Sequence, residues 1–270
     1  MFQYATGRSV AERHGAELVL DTSWTEQGTT VYELGFFDLG VRACPVWEVA
    51  RVPNASRVVR ALQRLRPSGR RFLHVVAEPS HDVFVPEVLT APDDAYLQGF
   101  WQFEEYFAGH EELIREAFTF PPLTVESDRV AGEIAETVAV GMHVRRGDYA
   151  GHDLFESLGP DYYARAADTI ADAVAGDIAI FVFSDDPRWC AKELAFEHAT
   201  TIVERSLPPD RHWEDLALMT RCRHHVIANS SYGWWGAWLA DSKDKIVVAP
   251  RRWASTQYAR DPVPDRWVRV

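Results

Sequence analysis

"VAVGMHVRRGD", residues 138–148, is an unbroken apolar run that ends abruptly in two arginines, a glycine and an aspartate. Such a run, with no polar alternation, reads as a strand covered on both faces. It is followed by "PDYYARAADTIADAVAG" (160–176), whose apolar spacing fits an amphipathic helix, and by "DIAIFVF" (177–183), a second buried run. The alternation continues with a helix pattern at 187–198, a short strand at 200–204, a helix at 212–222, a strand at 224–229, a helix at 233–240 and a final strand at 245–250. Buried strands separated by helices predict a parallel, Rossmann-like sheet with both faces covered.

The first half is less regular. "AELVLDTS" (16–23), "RFLHVVAE" (71–78) and "DAYLQGFW" (94–101) read as strands, and "EEYFAGHEELIREAF" (104–118) as one long amphipathic helix. A second α/β lobe is expected. "TFPPLTVES" (119–127) carries a proline pair that cannot continue a helix, so the expected division is 1–122 and 123–270. With 270 residues, 47% of them apolar, there is material for two such cores.

The net charge of −12 argues against nucleic acid or an anionic membrane surface as partner, since either demands a cationic footprint. No apolar stretch reaches the roughly 18 residues of a membrane span, and a cytoplasmic location is expected. Cys44, Cys190 and Cys222 are too few and scattered for a disulfide framework, and "CRHH" (222–225) lacks a second ligand pair for zinc. The arginine-rich stretch from Arg57 to Arg70 has helical spacing and reads as a solvated basic face. Trp234, Trp235 and Trp238 are spaced for a buried helix face rather than a sugar platform.

In a doubly wound sheet, ligands sit beyond the carboxyl ends of the strands. Four such ends are polar here: "HVRRGD" (143–148), "SDD" (184–186), "ERS" (204–206) and "NSSYGWW" (229–235). They point to a nucleotide-diphosphate site. Arg145 and Arg146, successive on extended backbone, face opposite ways, so one reaches the phosphates while the other braces it. The amides of Ser230, Ser231 and Tyr232 at a helix start suit a phosphate. Asp185 or Asp186 would accept from guanine N–H groups, and Asp148 would orient an arginine. Two plainer readings stay open: an arginine–aspartate network that is purely structural, and a helix cap before Pro187.

Taken together, "HVRRGDY" (143–149), "PDYYARA" (160–166), "FSDD" (183–186), the run 213–239 and "APRRWA" (249–254) resemble the motif series of the inverting α-1,2-fucosyltransferases, glycosyltransferase family 11. "YLQGFWQFEEYF" (96–107) and the opening "MFQYA" resemble that family's N-terminal lobe. The resemblance implies a GT-B-like α/β fold, with two Rossmann-like lobes and a nucleotide-sugar cleft between them. It implies metal-independent transfer of L-fucose from GDP-β-L-fucose to a galactoside hydroxyl of a glycan acceptor, without a cofactor. A lipid-linked acceptor would make the protein peripheral at a membrane.

The family's His-x-Arg-Arg-x-Asp motif falls on His143, Arg145, Arg146 and Asp148. Asn229, Ser230 and Ser231 match its Asn-Ser-Ser/Thr, while Tyr232-Gly233 stands where Phe-Ser is usual. The resemblance puts Arg145 on the diphosphate. An ungapped count from His143, guided by core α-1,6-fucosyltransferases, lands the general base on Asp153; His143, His152 and Asp148 are the other candidates. Related chains carry a strand and a Gly-Leu-Gly-Asn-Gln loop before Met-Phe-Gln-Tyr-Ala. Either residue 1 is an internal methionine of a longer chain or the loop is missing. The second case favours a degenerate GDP-sugar- or glycan-binding protein. A fucosyltransferase of another linkage, such as α-1,3, is a further alternative, as is a nucleotide-binding protein unrelated to sugars. The acidic "SDD" and "PDD" (92–94) leave a Mg²⁺-nucleotide reading to be tested.

Overall fold

The computed structural model describes residues 1–22, 32–44, 74–147, 157–174, 176–204, 207–254 and 260–270. Asp148, His152, Asp153 and the arginine-rich stretch lie outside the described residues. The chain divides into two compact units, Met1–Pro121 and Pro122–Val270.

The N-terminal unit opens with α1 (Phe2–His14), which buries Phe2, Tyr4, Ala5 and Val10. Gly15 closes it in the left-handed conformation, φ 59°, a geometry that glycine adopts without the Cβ penalty. Two parallel strand pairs follow: β1 (Val19–Asp21) with β2 (Arg42–Cys44), and β3 (His74–Ala77) with β4 (Ala95–Gln98). The Tyr96 hydroxyl donates to Asp21 Oδ2 at 2.7 Å and ties the pairs together.

The expected helix over 104–118 is instead a short 3-10 helix, Glu104–Phe107, and a separate α2 (Glu111–Ala117). Gly109, at φ 84°, makes the break, and its amide donates to the Glu111 carboxylate. The break lets Tyr106 and Phe107 join the aromatic core with Tyr4, Phe37, Phe103 and Phe118, all buried.

In the C-terminal unit, α3 (Val125–Ala135) starts where the Thr124 side chain accepts from the Ser127 amide. The chain then runs through β5 (Ala139–Val144), α4 (Pro160–Val174), β6 (Ala179–Ser184), α5 (Pro187–Glu193), β7 (Ala199–Ile202), α6 (Trp213–Met219), β8 (His224–Val226), α7 (Ser231–Leu239), β9 (Val247–Ala249) and β10 (Val268–Arg269). The six strands form one sheet in the order β10-β9-β8-β5-β6-β7, every pair parallel. That is the doubly wound Rossmann order, which the strand–helix alternation predicts. All six β5 positions are buried, which is why its sequence never alternates.

The last apolar run is not the final strand: β10 adds a two-residue edge beside β9. Trp234, Trp235 and Trp238 are at most 2% exposed, with the first and third stacked at 6.0 Å, so they are core as expected. His225 Nε2 bonds the Met219 carbonyl at 2.9 Å, and His224 Nδ1 accepts from the Ile246 amide at 3.0 Å. Among the described residues no helix is long and apolar enough to cross a membrane.

Candidate functional site

The strand order reverses between β5 and β8, so the crevice expected of this topology opens where those strands end. Backbone geometry brings Arg145 and Arg146 to the end of β5, Asp185 and Asp186 to the end of β6, and Asn229, Ser230, Ser231 and Tyr232 to the end of β8. The nine sequence-predicted binding residues that include His143 therefore lie along three neighbouring strand ends. Neither Asp148 nor Asp153, two of the proposed catalytic residues, falls within the described chain.

The two arginines part as expected of successive extended residues. Arg145 Nη1 lies 3.2 Å from Asp185 Oδ2, with its side chain one-third exposed. Arg146 turns to α5 instead: its guanidinium carbon is 3.9 Å from the centre of the Trp189 ring, and its Nε is 3.8 Å from Asp186 Oδ2. Arg145 is thus the more exposed of the two, and Arg146 is packed on α5.

Both aspartates carry backbone duties. Asp185 accepts from the Arg146 amide at 2.9 Å and the Gly147 amide at 3.0 Å, which locks the turn after β5. A Cβ on Gly147 would lie 2.9 Å from Asp185 Oδ2, so only glycine lets that carboxylate approach. Asp186 caps α5, accepting from the Trp189 amide at 3.1 Å. The helix-cap reading of the sequence describes Asp186, and a structural network describes Asp185. A base-reading role would have to share these oxygens.

His143 is 4% exposed and sits beneath the first turn of α7. A Cβ on Gly233 would come within 2.7 Å of its Nδ1, and the Tyr232 ring lies 5.5 Å from it. This closeness gives a physical reason for glycine at position 233. Burial, reinforced by the Arg145 charge, pulls the His143 pKa down to about 3. The ring therefore stays neutral at physiological pH and is a weak proton acceptor. The neighbouring helix, α7, has no acidic residue in its first turn and no side-chain cap at Ser230. Its first-turn amides carry the positive end of the helix dipole. Asn229, 3% exposed, is fixed by donation from Nδ2 to the Trp253 carbonyl at 3.1 Å.

Asn229 also borders a cavity of about 690 Å³ that reaches Tyr162, Arg165, Arg251 and Arg252. The sequence reading gave these four no role. Arg251 and Arg252 stood in the quoted "APRRWA", but their approach to the face of α4 is a tertiary fact. Among the described residues there is no group of three or more His, Cys, Asp or Glu side chains placed to hold a metal.

Residues 85–269 match Glycosyl transferase family 11. The chain is similar to an alpha-1,2-colitosyltransferase of Escherichia coli, at 33% identity over 64% of this chain and 61% of that one. It is similar to the O-antigen biosynthesis glycosyltransferase WbnK of Escherichia coli, at 38% identity over 53% of this chain and 47% of that one. Human galactoside alpha-(1,2)-fucosyltransferase 1 matches at 28% over 57% of this chain and 45% of that one. The chain thus spans roughly half to three-fifths of the length of these relatives. A glycosyl transferase family 9 structure from Veillonella parvula overlaps at 12% identity and TM-score 0.35, covering 62% of this chain and 48% of that one, a likeness too slight to argue from. By the match of more than half its length, the chain belongs to glycosyltransferase family 11.

Proposed function

We propose that the protein transfers L-fucose from GDP-β-L-fucose to a galactoside hydroxyl, forming an α-1,2 linkage with inversion and without a metal. The observation that carries this reading is the pairing, at one topological switch point, of a partly exposed Arg145 with an uncapped helix N-terminus. Together they form a cationic and amide-rich grip suited to a diphosphate. Family membership supports a sugar nucleotide as the molecule that brings it.

In the proposed reaction the acceptor oxygen attacks the anomeric carbon from the face opposite the diphosphate. The C–O bond to GDP breaks with its electron pair passing to the diphosphate, and the acceptor proton passes to a carboxylate, for which Asp153 remains the candidate. Charge grows on the leaving group, so Arg145 and the α7 amides bind the transition state more tightly than the ground state. The nearest rival donor differs only in the sugar: colitose is L-fucose without its 3-hydroxyl, and a colitosyltransferase is among the relatives. A cytoplasmic location, peripheral where the acceptor is lipid-linked, accompanies the proposal.

The test is a transfer assay with GDP-fucose and lactose in the presence of EDTA, alongside calorimetry with GDP, UDP and ADP. A 2-fucosylated product and a preference for GDP are expected. Product dependent on added Mg²⁺ would overturn the metal-free mechanism, and GDP binding without fucose release would mark a binding protein instead.

A further inference from the structure

The carboxyl ends of β3 and β4 carry an unusual turn. Phe100 is 60% exposed, while its chain neighbours Trp101 and Phe103 are each 1% exposed. Trp101 holds φ 57°, the only non-glycine residue at positive φ among the described residues. A bulky side chain in that region is strained, and such strain persists only where the surroundings enforce it. Here the enforcing group is Glu78. Its carboxylate accepts from the Phe100 amide at 2.7 Å and from the Trp101 amide at 3.3 Å.

Gly99 allows this clamp to close. A Cβ there would lie 2.6 Å from Glu78 Cβ and 3.0 Å from the Trp101 ring. Gln3 Nε2 holds the Gly99 carbonyl at 2.9 Å from the side of α1. The outcome is a constrained turn that drives the Trp101 ring into the core and presents the Phe100 ring before it to solvent. His81 stands edge-on to the presented ring, 6.2 Å between centres at 89°. Val83, 37% exposed, comes from the same segment after β3.

We propose that Phe100, presented by the Glu78-clamped turn and edged by His81, is the platform on which a hexopyranosyl ring of the acceptor glycan stacks. The inference rests on the glycosyltransferase reading above and deepens it by naming an acceptor residue. A pyranose has one apolar C–H face and a rim of hydroxyls, which matches one aromatic face beside a carboxylate and an imidazole. A macromolecular partner asks for much more, about 800 Å² from each side, than one phenyl ring and a valine offer. Prepaid rigidity serves a small ligand, because no loop must be ordered when it binds.

The test uses the full chain, with saturation-transfer NMR on lactose, acceptor KM in the transfer assay, and GDP affinity as a check that the protein is folded. Phe100→Ala is expected to weaken lactose binding and raise acceptor KM about tenfold, with Phe100→Trp returning both to within about threefold of wild type. Wild-type lactose affinity in Phe100→Ala, or no saturation transfer to lactose from the wild type, overturns the platform. The two readings fail separately. Lactose binding that depends on Phe100 without any transfer would sink the proposed reaction and leave the platform standing. Transfer with an unchanged KM in Phe100→Ala would do the reverse.

Discussion

In the C-terminal unit β5 is buried at every position, whereas in the N-terminal unit no described position of β1, β3 or β4 is fully buried. The C-terminal unit draws its core from a continuous sheet, and the N-terminal unit from aromatic rings gathered around α1. Tyr4 and Phe37 lie 5.2 and 5.0 Å from Phe118, and Phe84 stacks on Tyr106 at 4.7 Å. The contrast has a functional meaning. A hydrogen-bonded sheet fixes where its strand ends fall, so charged groups can be set against one another with little freedom. An aromatic cluster tolerates varied connections between its rings, and so fixes the loops around it less strictly.

Acid should separate the units most. Burial holds His143 and His225 at a pKa of about 3. Unfolded, each takes up a proton near pH ~6.5. The unfolded state therefore binds more protons, and stability is lost as the pH falls from about 6.5 toward 3, by several kcal/mol in aggregate. Glu78 has the opposite sign. Burial raises its pKa against the lowering effect of the Phe100 and Trp101 amides, so its contribution is present below the ordinary carboxylate range and is lost as pH rises through the native value. A thermal midpoint that stays flat between about pH 7 and 4 would contradict this account.

Truncating the aromatic core comes next. Phe118→Ala, at a site 2% exposed, should cost about 3–5 kcal/mol in denaturant unfolding. A loss below about 1 kcal/mol would mean the rings do not hold the N-terminal unit. Arg145→Ala should raise the barrier to transfer by about 3 kcal/mol, or a hundredfold in kcat, and leave the denaturation midpoint near wild type. Near-wild-type turnover would remove Arg145 from the proposed mechanism.

Gly233→Ala brings a methyl against the His143 ring and should destabilise the C-terminal unit by about 1–3 kcal/mol while weakening GDP binding. Unchanged calorimetry would show that α7 and β5 are less tightly coupled than their approach implies. The smallest effect is assigned to Glu214→Gln. Burial works to raise the Glu214 pKa, but hydrogen bonds from Ser127, Thr124 and Arg211 outweigh it and hold the carboxyl below its ordinary value. Its stabilisation is present above the ordinary carboxylate range and fades as pH falls through the native value. The variant should lose about 1 kcal/mol near neutrality and show a shallower acid slope in urea melts.

Much of the C-terminal unit was legible because its two periodicities differ so plainly: continuous apolar runs for strands, 3.6-residue spacing for helices. The misses have local causes. Helix α3 was hidden because its first turn, Val125-Glu126-Ser127-Asp128, follows a proline pair and reads as linker. Its cap depends on Thr124, which in turn is held by Glu214, ninety positions away. The single helix expected over 104–118 failed at Gly109, where an amphipathic pattern carries across a turn that backbone geometry interrupts. The two residues of β10 offer no pattern to find.

The α/β class, the parallel sheet and the strand ends at which polar residues gather are written in the order of residues alone, because alternation of apolar runs is a local property of the chain. The family is written there too, in a dense series of short motifs. Folding settles the rest: which arginine is the more exposed and which is stacked, that Asp185 and Asp186 serve backbone amides, and that Glu78 holds Trp101 inward and Phe100 outward. Those outcomes hang on hydrogen bonds and close approaches between residues far apart in the chain, and composition or spacing along one strand carries no record of them.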